Sequence, residues 1–182
     1  MKASLQPDRP RLLIHPGPAH PVRIESRQSR RGRHVRLTLA PGANMFDAII
    51  LPLAAIGIEH ASTTILGGDF EQIEYCVAQV DPSGQTRVGY AEPLRAGRSC
   101  LIFGNATIGK NQQGAPIIHC HGALRAENGA VKGGHILTQN SIVGARPISV
   151  LVTAFTDIQL RVAYDAETNI SLIKPYQETT NE

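Results

Sequence analysis

The feature that most constrains the fold is a long series of short strand-like segments, of which all but the first follow a single helical segment. Apolar and β-branched residues alternate with polar ones in these segments, which is typical of half-buried strands. Turn-forming residues separate several of them, most clearly at Asp81-Pro82-Ser83-Gly84. Short strands joined by turns predict a central, largely antiparallel β-sheet. The segments are HVRLTLA, ASTTILGG, IEYCVAQV, RSCLIFGNATI, APIIHCHGALRA, AVKGGHILTQ, PISVLVTAF, IQLRVAYD and NISLI.

One segment instead has the period of a helix. Asn44 is a good N-cap residue, and Gly57 is a suitable residue for the C-terminal end. Pro52 predicts a kink, or a division into two short helices. The apolar residues at helical spacing are Met45, Ile49, Leu53 and Ile56. One main helical region beside a sheet places the chain in the α+β class.

Composition divides the chain into an arm, a domain and a tail. Residues 1–31 are rich in Pro and Arg, 32–174 have the pattern of one globular domain, and 175–182 form a short tail. Residues 1–36 carry nine Lys/Arg against two acids, a net charge of +7, whereas the remainder carries nine against thirteen, a net of −4. The arm therefore supplies candidate nucleic-acid contacts, namely Arg27, Arg30, Arg31 and Arg33.

Cysteine usage and hydropathy predict a cytoplasmic protein with no membrane partner. Cys76, Cys100 and Cys120 have no disulfide or metal-knuckle spacing, so we expect free thiols in a reducing compartment. The first 21 residues lack the apolar core of a secretory signal, because Pro and Arg interrupt them. The longest apolar stretch, residues 48–58, is too short to cross a bilayer.

The candidate functional site is a hairpin that carries three histidines. Neighbouring strand residues point to opposite faces, so His119 and His121 share a face. The face of His135 depends on the turn: a two-residue Asn128-Gly129 turn would place it on the other side. A three-residue loop, 127–129, has Gly129 where the common bulged geometry needs a left-handed residue, and it pairs His121 with His135. We predict this second register.

Three imidazoles on one face are a ligand set for a divalent metal ion. They suit Zn²⁺ first, with Fe²⁺ or a similar ion as alternatives, and they leave a position open for water or another ligand. The competing interpretation is that the histidines only form hydrogen bonds in a polar interface. Gly133-Gly134 removes side chains where a metal, a small molecule or another subunit could approach. No pattern pairs a nucleophile with a base, so no catalytic residue is assigned.

The segments HCHGALRAENGAVKGGHIL, GRHVRLTLAPGANMFDAI and RVAYDAETNISLI resemble the plant-and-prokaryote conserved (PPC) domain, which occurs with AT-hooks in plant nuclear proteins. The resemblance extends from about residue 32 to residue 174, and the histidines favour its bacterial and archaeal branch. It implies an α+β domain assembled as a homotrimer, with His119, His121 and His135 as metal ligands. Prokaryotic members are described as DNA-binding proteins. No AT-hook is present, because Arg31-Gly32-Arg33 precedes His34 where the hook has proline.

Two classes of function follow from these features. The first is a DNA-binding or regulatory protein of the PPC type with a three-histidine metal site. The second is a metal-dependent enzyme or a small-molecule-binding trimer that uses the open coordination position. The basic arm favours the first, whereas the net acidic domain and the lack of a helix-turn-helix or zinc finger argue against it. A trimer in which the metal has only a structural role is compatible with both observations.

Overall fold

A computed structural model describes residues 14–22, 24–86 and 88–177 of the 182-residue chain. Much of the predicted arm (1–13) and most of the predicted tail (178–182) therefore lie outside the described residues. The regular elements are β1 (Gly32–Leu39), α1 (Met45–Ala55), β2 (Ala61–Ile65), β3 (Gly68–Cys76), β4 (Ala78–Val80), β5 (Val88–Tyr90), β6 (Leu94–Lys110), β7 (Pro116–Ala126), β8 (Val131–Ile136), a 3-10 turn (Thr138–Asn140), β9 (Ile142–Val143), β10 (Ile148–Phe155), β11 (Ile158–Asp165) and β12 (Ile170–Gln177).

The main sheet is antiparallel almost throughout, which confirms the predicted fold class. Its strand order is β1-β10-β2-β6-β7-β8-β3-β9, and β3 also pairs with β6. Strands β6, β7, β8 and β3 therefore form a closed ring of antiparallel pairs. The β11–β12 hairpin joins the sheet through a parallel bridge between Arg161 and Lys110. Strands β4 and β5 form a separate two-stranded sheet.

Strand β6 connects two parts of the sheet, because it pairs with two different strands along one of its own edges. Its first half, up to Leu101, pairs with β3, and its second half, from Gly104, pairs with β2. The chain passes from β2 to β3 through Leu66 and Gly67, where φ is 91°. A Cβ at Gly67 would lie 2.7 Å from the carbonyl oxygens of Leu101 and Ile102, so only glycine fits this close crossing. The Gly67-Gly68 pair is thus a strand connection.

Helix α1 covers part of the core and begins where the sequence predicts. The Asn44 side chain accepts hydrogen bonds from the backbone N–H groups of Phe46 (3.0 Å) and Asp47 (3.3 Å). The helix continues through Pro52 as one element, so the division into two helices is not observed. Pro52 is exposed, and the N–H that it lacks leaves the carbonyl of Ala48 without its usual donor in the helix. Gly57 follows the last turn with φ of 71°, as predicted for the C-terminal end.

The core consists of aliphatic side chains from α1 and from the inner face of the sheet. The fully buried ones include Leu39, Met45, Ile49, Leu53, Ile65, Leu101, Ile108, Leu124, Ile136 and Ile148. Ile56, the fourth apolar residue at helical spacing, is instead 43% exposed, because the helix has already ended there. Among the described residues, no helix combines the length and the apolar composition needed to span a bilayer.

Candidate metal centre

The β7–β8 hairpin has the predicted three-residue loop. The backbone N–H of Ala126 donates to the carbonyl of Ala130 at 2.9 Å, and Gly129 has φ of 81°. Strand pairing then places His121 directly opposite His135. The register prediction is therefore confirmed, and its cause is local: the loop length and a glycine in the left-handed region determine which residues face each other.

The hairpin brings the three imidazoles together on the face of the sheet that points away from the core. Cys120, between the two histidines of β7, is fully buried, while His121 is exposed. The ring centroid of His119 lies 4.8 Å from that of His121 and 4.7 Å from that of His135. The centroids of His121 and His135 are 5.6 Å apart. One nitrogen from each ring lies within 4.8 Å of the others. Three ring nitrogens this close together can serve as ligands of one ion.

Burial keeps two of these rings uncharged. Burial is the main cause that lowers the pKa of His119, and the neighbouring His121 lowers this pKa further. Burial, followed by the two other histidines, lowers the pKa of His135 to about 4. Both rings are therefore neutral at pH 7 and have a lone pair free for a metal. The Nδ1 atom of His135 is buried and has no hydrogen-bond partner, which disfavours an interface held by hydrogen bonds. These observations fit a metal-ligating set.

The thiols near the site are not suited to be ligands. Burial raises the pKa of the Cys120 thiol to about 12, and this side chain lies on the core side of β7. Cys76 pairs with His135 through the backbone and is also buried, which raises the pKa of its thiol. Both thiols stay protonated at neutral pH, whereas metals bind the thiolate. All three cysteines are free, as expected, although Cys100 is only partly buried.

Several neighbours of the triad were not identified from the sequence. Tyr90 on β5 packs its ring against His135 with 5.0 Å between ring centroids and 31° between planes. Asn105 and Thr107 on β6 pair with His121 and His119 across the sheet. No local sequence signal points to Tyr90, because it reaches the site through the separate β4–β5 hairpin. Among the described residues, the histidine cluster includes no carboxylate that could act as a general base.

The structure corrects the interpretation of Gly133-Gly134. A Cβ at Gly134 would lie 2.4 Å from the carbonyl oxygen of Cys76, and one at Gly133 would lie 2.9 Å from that of Gly122. The space that these glycines leave is filled by strands of the same chain. The glycines allow β8 to approach β3 and β7 closely, and this approach holds His135 in the sheet.

The four arginines of the arm lie away from the triad. They occupy the segment leading into β1 and its first residues, whereas β8 lies five strands further along the sheet. All four are exposed: Arg27, Arg30, Arg31 and Arg33. Within the described residues, the arm is attached to the domain at several places, which include an ion pair between Glu25 and Lys174. His15 Nδ1 lies 2.6 Å from the Glu167 carboxylate, and the Asp157 carboxylate accepts from Ser29 and from the backbone N–H of Arg30.

Comparison with known proteins adds a family and a set of similar folds. A family model described as the Plants and Prokaryotes Conserved (PCC) domain matches residues 26–156. A metal-containing protein from Archaeoglobus fulgidus is 18% identical with a TM-score of 0.66, and the alignment covers 83% of this chain and 99% of that one. A plant- and prokaryote-conserved protein from Pyrococcus horikoshii is 18% identical with a TM-score of 0.62, covering 83% and 97%.

A third solved structure, from Ralstonia eutropha JMP134, is of a protein named "putative DNA-binding protein". It is 18% identical with a TM-score of 0.58, and the alignment covers 76% of this chain and 89% of that one. No curated protein matches the chain. At these identities the solved structures show a shared fold, while the family match extends over most of the chain.

Proposed function

This chain belongs to the Plants and Prokaryotes Conserved domain family, as the sequence resemblance indicated, and we propose that it is a metal-binding member of that family. His119, His121 and His135 are the proposed ligands of one divalent ion, Zn²⁺ in preference to Fe²⁺. The observation that carries the proposal is the convergence of three ring nitrogens within 4.8 Å, two of them on rings that burial keeps neutral.

The donor set supports the choice of metal. Three neutral imidazoles suit a borderline ion such as Zn²⁺, and a set without carboxylate or thiolate does not favour Mg²⁺, Ca²⁺ or Cu⁺. The neighbour from Archaeoglobus fulgidus is described as metal-containing, which supports the same proposal for this chain. When bound, such an ion supplies Lewis-acid polarisation of an oxygen ligand. The chain's own part is to hold three rings uncharged and close together on a rigid hairpin.

The direct test is elemental mass spectrometry on untagged protein, beside a His119→Ala/His121→Ala double variant. We expect about one ion per chain in the wild type and none in the double variant. A matched control is His34→Ala, which removes an exposed strand histidine on β1 and should leave the metal content unchanged. A wild type that stays empty after incubation with Zn²⁺ or Fe²⁺ would refute the proposal.

We also propose that the protein forms a homotrimer. Large apolar side chains are exposed around the β2–β3 connection and on the outer side of the sheet, which favours association with further copies. They include Leu66 (52% exposed), Ile102 (48%), Phe103 (54%) and Leu151 (44%). Light scattering coupled to size-exclusion chromatography should give three times the chain mass of 19.6 kDa. A monomeric mass would refute the trimer and leave the metal proposal standing.

DNA association is the second proposed function, and the arm is its proposed contact surface. Within the described part of the chain, none of the four arginines forms a salt bridge. The guanidinium groups of Arg27 and Arg33 each donate one hydrogen bond to a carbonyl oxygen, that of Ser26 and that of Ile56, and their remaining N–H groups can contact phosphates. The DNA-binding name of the Ralstonia eutropha neighbour agrees with this proposal. Four phosphate contacts predict a slope of roughly −3 to −4 in log K against log salt concentration.

A mobility-shift titration at several salt concentrations, with wild type and a variant in which all four arginines are alanine, tests the arm. We expect weaker binding and a slope reduced by about that amount in the variant. Replacement of Arg125 and Lys132, two exposed basic residues of the β7–β8 hairpin, serves as a control for the loss of positive charge elsewhere on the domain. Equal binding by wild type and the arm variant would exclude the arm as the contact surface.

A further inference from the structure

The β4–β5 hairpin is small and stands apart from the main sheet. Each of its strands has three residues, and among the described residues the two pair only with each other. Several of its side chains are exposed and apolar, including Val80 at 66% and Val88 at 39%. A two-stranded ribbon of this size has little stability of its own in water. Its position therefore depends on contacts with the rest of the domain.

Those contacts connect the hairpin with the histidine site. At its base, the backbone N–H of Ala91 donates to the carbonyl of Val77 at 2.9 Å. At its tip, the Asn169 side chain donates to the carbonyl of Gln85. At its side, the ring of Tyr90 packs against the ring of His135 in a tilted arrangement, with 5.0 Å between the ring centroids and 31° between the planes. Of these three contacts, the last is with a proposed metal ligand.

We propose that Tyr90 is a positioning residue of the histidine site, whose ring packing on His135 makes metal binding and docking of the β4–β5 hairpin stabilise each other. The inference rests on the proposed metal site and adds its regulation by a neighbouring element. Tyr90 does not itself need to touch the ion. It acts by restricting the orientation of the His135 ring and by covering that side of the site.

The physical reason is a change in the imidazole when it binds a cation. Coordination withdraws electron density from the ring and gives it partial positive charge. A positively polarised ring is attracted to the face of a neighbouring phenol more strongly than a neutral one is. The stack between Tyr90 and His135 is then stronger in the metal-bound state. By linkage, if the Tyr90–His135 contact is more favourable in the metal-bound state than in the metal-free state, it raises the affinity for the metal by the same factor.

The experiment compares Zn²⁺ affinity, by competition with a chromophoric chelator, among wild type, Tyr90→Ala, Tyr90→Phe and Tyr176→Ala. We expect Tyr90→Ala to bind Zn²⁺ about 10-fold more weakly, as is usual for residues that support a metal ligand. Tyr90→Phe should restore wild-type affinity, because the stack uses the ring and not the hydroxyl. Tyr176→Ala is the matched control, since this tyrosine of β12 is also partly exposed and lies outside the histidine cluster.

Hydrogen exchange on the wild type gives a readout that does not depend on a variant folding. Saturating Zn²⁺ should slow amide exchange in Ala78–Val80 and Val88–Tyr90, whereas α1 should exchange as before. Equal Zn²⁺ affinity of wild type and Tyr90→Ala, or hairpin exchange that Zn²⁺ leaves unchanged, would overturn this inference alone. A wild type that binds no Zn²⁺ would overturn the proposed metal site and this inference with it.

Discussion

Replacing Gly134 with alanine should both destabilise the fold and displace His135, a proposed metal ligand. The added Cβ would lie 2.4 Å from the carbonyl oxygen of Cys76, where ordinary contact begins near 3.4 Å. The obstacle is backbone, so no side-chain rotation can relieve it. Strand β8 must therefore move away from β3 by about 1 Å, the difference between those two distances. The adjacent pairings of Cys76 with His135 and of Tyr75 with Ile136 would be strained or lost.

The magnitude follows from this displacement. Overpacking of a tight contact costs about 1–3 kcal/mol, and each weakened backbone hydrogen bond adds roughly 1 kcal/mol. The lower chain entropy of alanine in the unfolded state offsets roughly 0.5–1 kcal/mol. We therefore expect Gly134→Ala to lower the free energy of unfolding by about 2–3 kcal/mol. For a chain of this length that corresponds to a Tm lower by roughly 4–12 °C.

Urea unfolding of metal-free protein, followed by far-ultraviolet circular dichroism at one protein concentration, measures the effect. Gly32→Ala is the matched control, because a Cβ at this strand glycine would meet its nearest neighbour, the carbonyl oxygen of Ala154, at an ordinary 3.5 Å. The control should unfold within about 0.5 kcal/mol of wild type. If Gly134→Ala has the wild-type midpoint and slope, the close approach of β8 to β3 does not determine the position of His135, and the argument fails.

Two further predictions concern stability away from the site. Asn44→Ala should cost about 1 kcal/mol, because it removes the acceptor for the Phe46 and Asp47 N–H groups. Asn44→Asp keeps that acceptor but loses the Nδ2–H donor to the Gln139 carbonyl, so it should restore part of the stability. Equal thermal stability of the two variants would contradict this capping role. Thr168, through its hydroxyl and its backbone N–H, holds the pKa of Asp165 at about 2, below the value of about 3.9 expected in the unfolded chain. Ionised Asp165 therefore stabilises the fold above pH 4, and about 1 kcal/mol is lost as the pH falls from 4 to 2. Denaturant titrations at both pH values should show a smaller loss in Asp165→Asn, and an equal loss would exclude Asp165 as the group responsible.

The strands and the helix can be predicted from the sequence, because local residue patterns indicate them clearly. Leu37 and Leu39 alternate with polar residues and are buried as β1 requires. The capping side chain at Asn44 begins α1, and the loop with Gly129 sets the register of the histidine hairpin. In each case the determining interaction lies within a few residues along the chain, so the sequence alone is sufficient to predict it.

The environment of the triad depends instead on contacts that are distant in sequence. The pairing of β3 with both β6 and β8 closes the ring of strands, and no residue pattern near Gly68 or Val131 shows which partner is chosen. For the same reason, the role of Gly134 was interpreted incorrectly: the group that needs the space is the Cys76 carbonyl, 58 residues earlier in the chain. Tyr90 was missed because β4 and β5 form a sheet of their own.

This division between local and distant contacts has a chemical consequence for the proposed metal site. The local register places three imidazoles on one face. At exposed histidines, however, a metal ion would have to compete with protons near pH 6.5, the ordinary imidazole pKa. Burial lowers the pKa of His119 and His135 in the folded chain. The packing of Tyr90 on His135 and the approach of β3 behind Gly134 contribute to that enclosure. A peptide containing only the β7–β8 hairpin should therefore bind Zn²⁺ much more weakly at pH 6 than the whole domain does, although it carries the same three ligands.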